Sequence, residues 1–431
     1  MKTIHFVGIF GSGMSALAQY MAASGHRVTG SDRQGDSPIR AKLEGLGATV
    51  FPQDGSGVGA DTDVVCVSTA IEATNPDIAA ALTYGIPIQH RSEILAELVA
   101  AKRSVVVAGT SGKSTTTAMI FELLSACGLA PSLVSGADLR TLGTNYHVGA
   151  GEWLVVEGDE SDGSLVQYFP DVCVVLNLSK DHKPEAEVLA MFETLVSQSG
   201  WSLKNKDDAK LETLKTDATF GFEGIEILAS DAFSSGVVVE GVPISIKAPG
   251  LHNASNLLAA IGVCRHLGCS LEALQLAATS FLGVDRRFVV HRTASGVTVV
   301  DDFAHNPEKI RAAVSAARGL GQRITALFQP HGYGPTRFLR SEYVRIFREI
   351  FGPGDVLILL PIYYAGGTAV KDISSADLVA DLGAVPFSAY APVSREEALS
   401  LLAAKSGDVV LVMGARDPSL PTFVHEVVQS F

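Results

Sequence analysis

VVVAGTSGKSTTTAM, residues 105–119, decides the reading of this chain. A run of β-branched and small apolar residues ends in Gly109-Thr110-Ser111-Gly112-Lys113-Ser114, and Thr115 then opens an apolar segment. The pattern predicts a buried strand, a tight glycine turn and a helix N-terminus. Such a turn aims backbone N–H groups and the positive end of the helix dipole at an anion. Lys113 adds a mobile charge for β- and γ-phosphate, and the Ser114 hydroxyl a hard oxygen for Mg²⁺. The general phosphate-loop pattern asks for glycine where this chain has Val107, so the loop is a compressed variant. A glycine turn with an exposed lysine is the plainer alternative. The strand before and the helix after favour a nucleotide-using enzyme.

Composition fits that role. The chain has 431 residues, enough for about three domains. Hydrophobic residues make up 47% and charged residues 18%, which excludes a disordered chain. A net charge of −13 argues against a nucleic-acid partner, because neutralising a phosphate backbone needs a basic surface. Cys66, Cys127, Cys173, Cys264 and Cys269 sit in apolar contexts without CxxC spacing and read as buried thiols of a reducing compartment. No segment offers about 18 uninterrupted apolar residues, and the strand-turn-helix reading of the first residues sets the expectation of no cleavable leader. The expectation is a soluble, cytoplasmic protein with no membrane insertion.

Upstream, TIHFVGIF (3–10) reads as a strand followed by Gly11-Ser12-Gly13 and a small-residue helix from Met14. A second strand ends at Asp32, about 20 residues past the turn, as a dinucleotide-type fold expects. Asp32 would grip a ribose hydroxyl or cap a turn. Further strand–helix alternation runs to a boundary near Arg103.

Downstream, EWLVVEGDESDGSL (152–165) is read as a strand whose C-terminal end crowds Glu157, Asp159, Glu160 and Asp162. Such charges repel unless water solvates them or a cation collects them. The strand DVCVVLNLS (171–179) leads to Lys180-Asp181-His182. In open α/β sheets the active crevice lies at the C-terminal strand ends. That places Glu160 and His182 beside the phosphate loop as candidate Mg²⁺ ligands, with surface loop residues as the alternative. Asn253 and Asn256 open an apolar helix, where they would read an adenine edge or cap it. A third domain begins near Arg286-Arg287. Its strands end in Asp301-Asp302, in the polar loop holding His331, and at Gly414, while His305 and Asn306 precede a helix begun by Pro307. Strands alternating with helices throughout make the chain α/β.

Taken in order, these segments resemble the Mur ligases over essentially the whole chain. The landmarks are GIFGSGMSALA, GSD, GTSGKSTTTAM, GTNYHVG, VVEGDESDGS, NLSKDH, LHNASNLLAA, GVDRRF, DDFAHNP, FQPHGYGPTR and MGARD. The resemblance implies three domains. They are a Rossmann-like UDP-binding domain over 1–103, a P-loop ATPase-type α/β domain over 104–284, and a Rossmann-like domain over 285–431 that brings the amino acid and closes on ATP. It implies an ATP-dependent ligase that joins an amino acid to a UDP-sugar acid through an acyl phosphate, using Mg²⁺. UDP-N-acetylmuramate and L-alanine are the first expected pair, and the role is in peptidoglycan synthesis. A monomer or homodimer is expected. Residues 109–115, Asn253 and Asp302 would bind ATP, with Asp302 on its ribose. Lys113, Glu160, His182 and Arg287 would act in catalysis, and Ser114, Glu160 and His182 would hold metal. Gly11, Ser12, Gly13, Met14, Asp32, Thr144, Asn145, His305, His331 and Arg337 would contact substrates.

Three features depart from the family pattern. Ser111 stands where histidine is usual, Lys183-Pro184 follows His182 in place of an aspartate turn, and HGYGPTR replaces a loop richer in arginine. Arg337 is therefore the expected carboxylate anchor for the acceptor. A relative adding a peptide or another amino acid is the second reading, and a non-catalytic nucleotide-binding relative the third. A folylpolyglutamate-synthase-like ligase lacks a separate first domain, and a nicotinamide oxidoreductase leaves the phosphate loop unexplained.

Overall fold

The computed structural model describes residues 1–35, 37–181, 183–228, 234–364 and 370–431. Three sheets of the doubly wound kind follow one another along the chain. The first holds five parallel strands in the order Thr49–Pro52, Arg27–Asp32, Thr3–Val7, Val64–Val67, Ile88–His90. Its strand order reverses beside Thr3–Val7, so the crevice opens where that strand runs into Gly8–Gly13.

In the second sheet the phosphate-loop strand Arg103–Ala108 is central, between Val172–Val175 and Trp153–Glu157. Trp201–Asn205 and Ala218–Phe220 extend one side, Ser132–Leu139 and the antiparallel Thr144–His147 the other. Glu226–Leu228, Ser235–Val239 and Val242–Ile246 form a small antiparallel sheet alongside. The third sheet has six strands, all parallel except Val289–Arg292. Their order is Val289–Arg292, Thr298–Asp302, Val409–Gly414, Ile324–Gln329, Val356–Leu359, Ser388–Tyr390.

The two-residue period of a strand explains why residues 105–108 read as an unbroken apolar run. Val105 and Val107 pack with the helices Lys113–Ala126 and Leu251–His266. Val106 and Ala108 face the opposite side, in a core shared with Phe192 of the helix Glu185–Ser197 and with Leu17, Tyr20 and Leu95 of the first sheet's helices. Both faces are dry, and the first two sheets share one hydrophobic mass. The helices start where sequence places caps. Asn75 accepts from Asp77 N before Pro76–Tyr84, and Asn306 accepts from Lys309 N before Pro307–Arg318. Among the described residues no helix is long and apolar enough to cross a membrane.

One predicted element is shorter than expected. The strand read over 152–165 ends at Glu157. Gly158 carries the chain into a polar loop, with a single 3₁₀ turn at Ser164–Gln167. Asp159, Glu160 and Asp162 therefore stand on a loop rather than a ladder, which frees them to turn in different directions.

Candidate active site

The C-terminal strand ends of all three sheets face one cleft of about 1390 Å³. The phosphate loop forms its floor. Gly112 has φ +84, and a Cβ there would lie 2.5 Å from Asn256 Oδ1, so only glycine suits the turn. Asn177 clasps the loop: Ser111 N donates to its Oδ1 at 2.8 Å, and its Nδ2 donates to Ser111 O at 2.9 Å. Thr110 Oγ1 lies 2.9 Å from Ser179 Oγ. Lys113 Nζ donates to Gly109 O and to Glu160 Oε2, both at 2.7 Å. Burial opposes the Lys113 charge, but Glu160, Glu157 and Asp159 outweigh it and hold its pKa above the ordinary lysine range.

The acidic side chains at and beyond the end of the strand Trp153–Glu157 divide among three side-chain partners. The sequence expectation was water or a collected cation; the carboxylates also meet protein groups. Glu160 meets Lys113, and Glu157 Oε2 accepts from Ser114 Oγ and Gly136 N, both at 2.9 Å. Asp159 and Asp162 accept from Arg91 Nη2 of the first domain at 2.7 and 3.0 Å. Arg91 was not singled out from sequence. It looks like an ordinary first residue of a helix, and its partners lie about 70 positions away.

The third domain reaches the same floor. Arg287 Nη2 donates to Ser114 Oγ at 3.3 Å, and its guanidinium lies 4.3 Å over the Phe303 ring. Burial lowers the Arg287 pKa against the pull of Asp302 and Glu157. Asp302 accepts from Phe288 N at 2.8 Å and Ala304 N at 2.7 Å. Burial pushes its carboxyl up to about 6, against the pull of Arg287. His305 Nε2 lies 3.3 Å from Lys309 Nζ, and its ring meets His331 edge-on at 5.1 Å. Burial, then the Lys309 charge, holds the His305 pKa well below the ordinary histidine value. Asp181 ties the two domains together, accepting from Asn306 Nδ2 at 2.7 Å and Lys309 Nζ at 2.9 Å. Sequence reasoning missed Lys309, whose position in a first helical turn resembles any solvated lysine.

Most of the expected residues share this cleft. Gly11, Ser12, Gly13, Met14 and Asp32 line its first-domain wall. Thr110, Ser111, Gly112, Lys113, Ser114, Thr115, Glu160 and Asn253 line the floor, and Arg287, Asp302, His305 and His331 the third wall. Gly109 contributes its carbonyl to Lys113. Asp32 uses one oxygen on Phe10 N at 3.0 Å and the other on Gln34 N at 3.0 Å, which is turn-capping geometry. Asn253 Nδ2 donates to Pro249 O at 2.8 Å.

Other residues are placed differently. Thr144 and Asn145 are off the cleft wall. Asn145 is buried and braces the first glycine turn, donating to Ser12 O at 3.2 Å and accepting from Gln19 Nε2 at 3.3 Å. Arg337 also lies off the wall, because the helix Tyr333–Phe338 turns it outward onto Asp372 and Val370 O. The cations that the third wall presents are Arg286, Arg287, Lys309 and Arg416. His182 lies outside the described residues.

A glycine-framed phosphate loop facing two further doubly wound domains across one cleft defines a nucleotide-dependent enzyme. Comparison with known proteins agrees with that class. Models described as "Mur ligase family, catalytic domain", "Mur ligase middle domain" and "Mur ligase, glutamate ligase domain" match residues 3–103, 107–264 and 286–416. The chain belongs to the Mur ligase family and is an ATP-dependent ligase. It is 34% identical to the UDP-N-acetylmuramate–L-alanine ligase of Pelotomaculum thermopropionicum, covering 96% of this chain and 95% of that one. It is 36% identical to the enzyme of the same name from Dinoroseobacter shibae, covering 98% and 96%. Among solved structures, the UDP-N-acetylmuramate-alanine ligase of Thermotoga maritima superposes with a TM-score of 0.82 at 26% identity, over 100% of this chain and 99% of that one.

Proposed function

We propose that this chain joins L-alanine to the carboxylate of UDP-N-acetylmuramate, with ATP cleaved to ADP and phosphate, in peptidoglycan synthesis. The observation that carries this reading is the single cleft in which the glycine turn Gly11–Gly13, the phosphate loop with Lys113, and Arg287 of the third domain face one another. The names of the relatives supply the substrate pair. A carboxylate oxygen of the sugar acid attacks the γ-phosphorus and ADP departs. The amine of the amino acid then attacks the acyl carbon, and phosphate leaves as the amide forms.

Anionic reactants must meet in both steps, so fixed cations are needed where charge develops. Lys113 and Arg287 are the groups proposed to meet the transferring phosphoryl group. Burial makes each worth more there than in water. His305 stays neutral at neutral pH and acts as a hydrogen-bonding wall rather than a charge. Asn253 and Asp302 are proposed to hold adenine and ribose. Contacts such as Asp181 with Asn306 and Lys309 close the third domain over the floor and exclude water from a hydrolysable acyl phosphate.

The donor set suits Mg²⁺. Ser114 Oγ, Glu157 and Glu160 are hard oxygens gathered at one strand end. Among the described residues no group of three or more acidic, histidine or cysteine side chains is arranged to hold a metal alone. Mg²⁺ ordinarily takes one or two carboxylates and completes its shell with phosphate oxygens and water. Bound there with ATP, it would supply charge neutralisation on the phosphates.

A peptide as acceptor is the second reading, favoured by the outward Arg337 and by the glycines and proline of HGYGPTR. Phosphate release measured over a panel of UDP-sugar acids, amino acids and short peptides tests both. Release that requires UDP-N-acetylmuramate and is fastest with L-alanine is expected. Release that proceeds without a UDP-sugar would overturn the proposal.

A further inference from the structure

Arg91 sits where two domains and the cleft meet. It begins the helix Arg91–Ala101, and its side chain leaves the first domain to reach Asp159 and Asp162 of the central one. Only Nη2 is used, donating to Asp159 Oδ2 at 2.7 Å and Asp162 Oδ2 at 3.0 Å. The other terminal nitrogen, Nη1, lies against Gly13. A Cβ built on that residue would stand 2.8 Å from Nη1, so glycine is required for the guanidinium to lie this close to the turn. Among the described residues Nη1 donates to no acceptor in the protein.

The turn that Nη1 faces has the shape of an anion site. The strand Thr3–Val7 runs into Gly8–Gly13, and the helix Ser12–Ala23 starts there with no side-chain cap on its N-terminal N–H groups. Two phosphates placed against this turn bring two or more negative charges into a wall that already carries Asp32. Among the described first-domain residues lining the cleft, Arg91 is the one cation. Its charge is secure. Burial opposes it, but Asp159 and Asp162 outweigh burial and hold its pKa above the ordinary arginine value. A planar fork with one nitrogen anchored by carboxylates has little freedom left to lose when the other meets an anion.

We infer that Arg91 binds the diphosphate of the UDP-sugar through Nη1, while Asp159 and Asp162 aim it from the loop that carries Glu160. This rests on the UDP-sugar reading of the first domain and adds the cation which that reading lacks. The arrangement also places the two substrate halves in contact through one side chain. Arg91 touches the sugar-nucleotide turn on one side and the neighbours of Glu160 on the other.

Titration of the full chain with UDP, uridine and ATP tests the inference. The wild type is expected to bind UDP far more tightly than uridine. Arg91→Gln is expected to lose roughly 10–100-fold in UDP affinity, the worth of one charge-assisted hydrogen bond. Its uridine and ATP affinities should stay within about twofold, which also shows that the variant is folded. Arg91→Lys should recover part of the loss, because a point charge replaces half of the fork. Asp162→Asn removes one of the two interdomain pairs, leaving that with Asp159, and keeps the cation, so it should retain the preference for UDP over uridine. Unchanged UDP affinity in Arg91→Gln would reduce Arg91 to a brace between domains and overturn the inference. So would a loss confined to ATP, which would assign the residue to the other half of the cleft. Wild-type protein that binds neither UDP nor uridine would remove the first-domain reading itself, and the inference with it.

Discussion

Lys113 and Glu160 are bonded to each other: the ammonium donates to the carboxylate at 2.7 Å, with side chains 14% and 6% exposed. The cation proposed for phosphate and the carboxylate proposed for metal thus neutralise one another in a nearly dry floor. Neither can be removed without leaving the other's charge buried and short of its direct partner.

Lys113→Ala is therefore expected to do two things. Turnover should fall roughly 10²–10³-fold, as for other lost electrostatic donors. Stability should also fall, by about 3–5 kcal/mol, because Glu160 is left buried without a partner. The double variant Lys113→Met with Glu160→Gln should regain much of the stability and none of the activity. Urea unfolding beside a phosphate-release assay reads both. Equal stability of the single variant and wild type would show that the pair is not energetically coupled.

The Asp302 carboxyl is pushed up to about 6 by burial. In the unfolded chain an aspartate titrates near 3.9. Between those values the folded state binds the proton and the unfolded state does not, so this group's contribution is present below about pH 4 and is lost as pH rises through 6. Wild-type stability minus that of Asp302→Asn should fall by roughly 2–3 kcal/mol across this window. Melting both proteins between pH 4 and 7 measures it. A difference that stays flat, or grows with pH, would mean that Asp302 is ionised in the folded protein throughout.

Asp181 is expected to act as a latch between the central and third domains. Asp181→Ala removes the acceptor of Asn306 and Lys309 and leaves the Lys309 ammonium buried and unpaired. Loss of kcat by 10-fold or more is expected, in the range typical of misplaced catalytic geometry. Binding of UDP to the first domain should change little. Faster proteolysis between the central and third domains would accompany the kinetic loss. Normal kcat with normal protease resistance would show that closure does not depend on this residue.

The acceptor carboxylate is expected to meet a cation on the cleft wall. Arg416 lines that wall, whereas Arg337 is committed to Asp372 at the exterior. Arg416→Gln should raise the amino-acid KM by roughly 10-fold or more, the worth of a charge-assisted contact. Arg337→Lys should leave the KM values for amino acid, ATP and UDP-sugar within about twofold. The reverse ranking would restore Arg337 as the anchor and imply that its helix turns inward when the acceptor binds.

Residues 105–119 determined the central fold unaided, because a dry β-branched run, a glycine turn and a threonine-opened helix have few other readings. The same local logic gave the strand ends at Asp32 and Asp302 and the helix start at Pro307, and it began the first helix at Met14, two residues past its start at Ser12. All of these rest on periodicity, caps and turns, which act over a few residues. What the sequence could not determine is which charge meets which. Glu157, Asp159, Glu160 and Asp162 read as one acidic cluster. Tertiary structure divides them among Ser114, Arg91 and Lys113, because a loop of glycines and serines turns each side chain toward a different neighbour. Arg91 lies 68 residues from Asp159, and Lys309 lies 128 residues from Asp181. Nothing local marks either as anything but a solvated helix residue. Arg337 is the opposite case: its loop sits at the expected strand end, but the turn of a six-residue helix sends the side chain to Asp372. Local sequence set the elements and the phosphate loop. Only the packing of three domains around one cleft decided which ionisable groups face one another, because Coulomb pairing depends on distance in space and not along the chain.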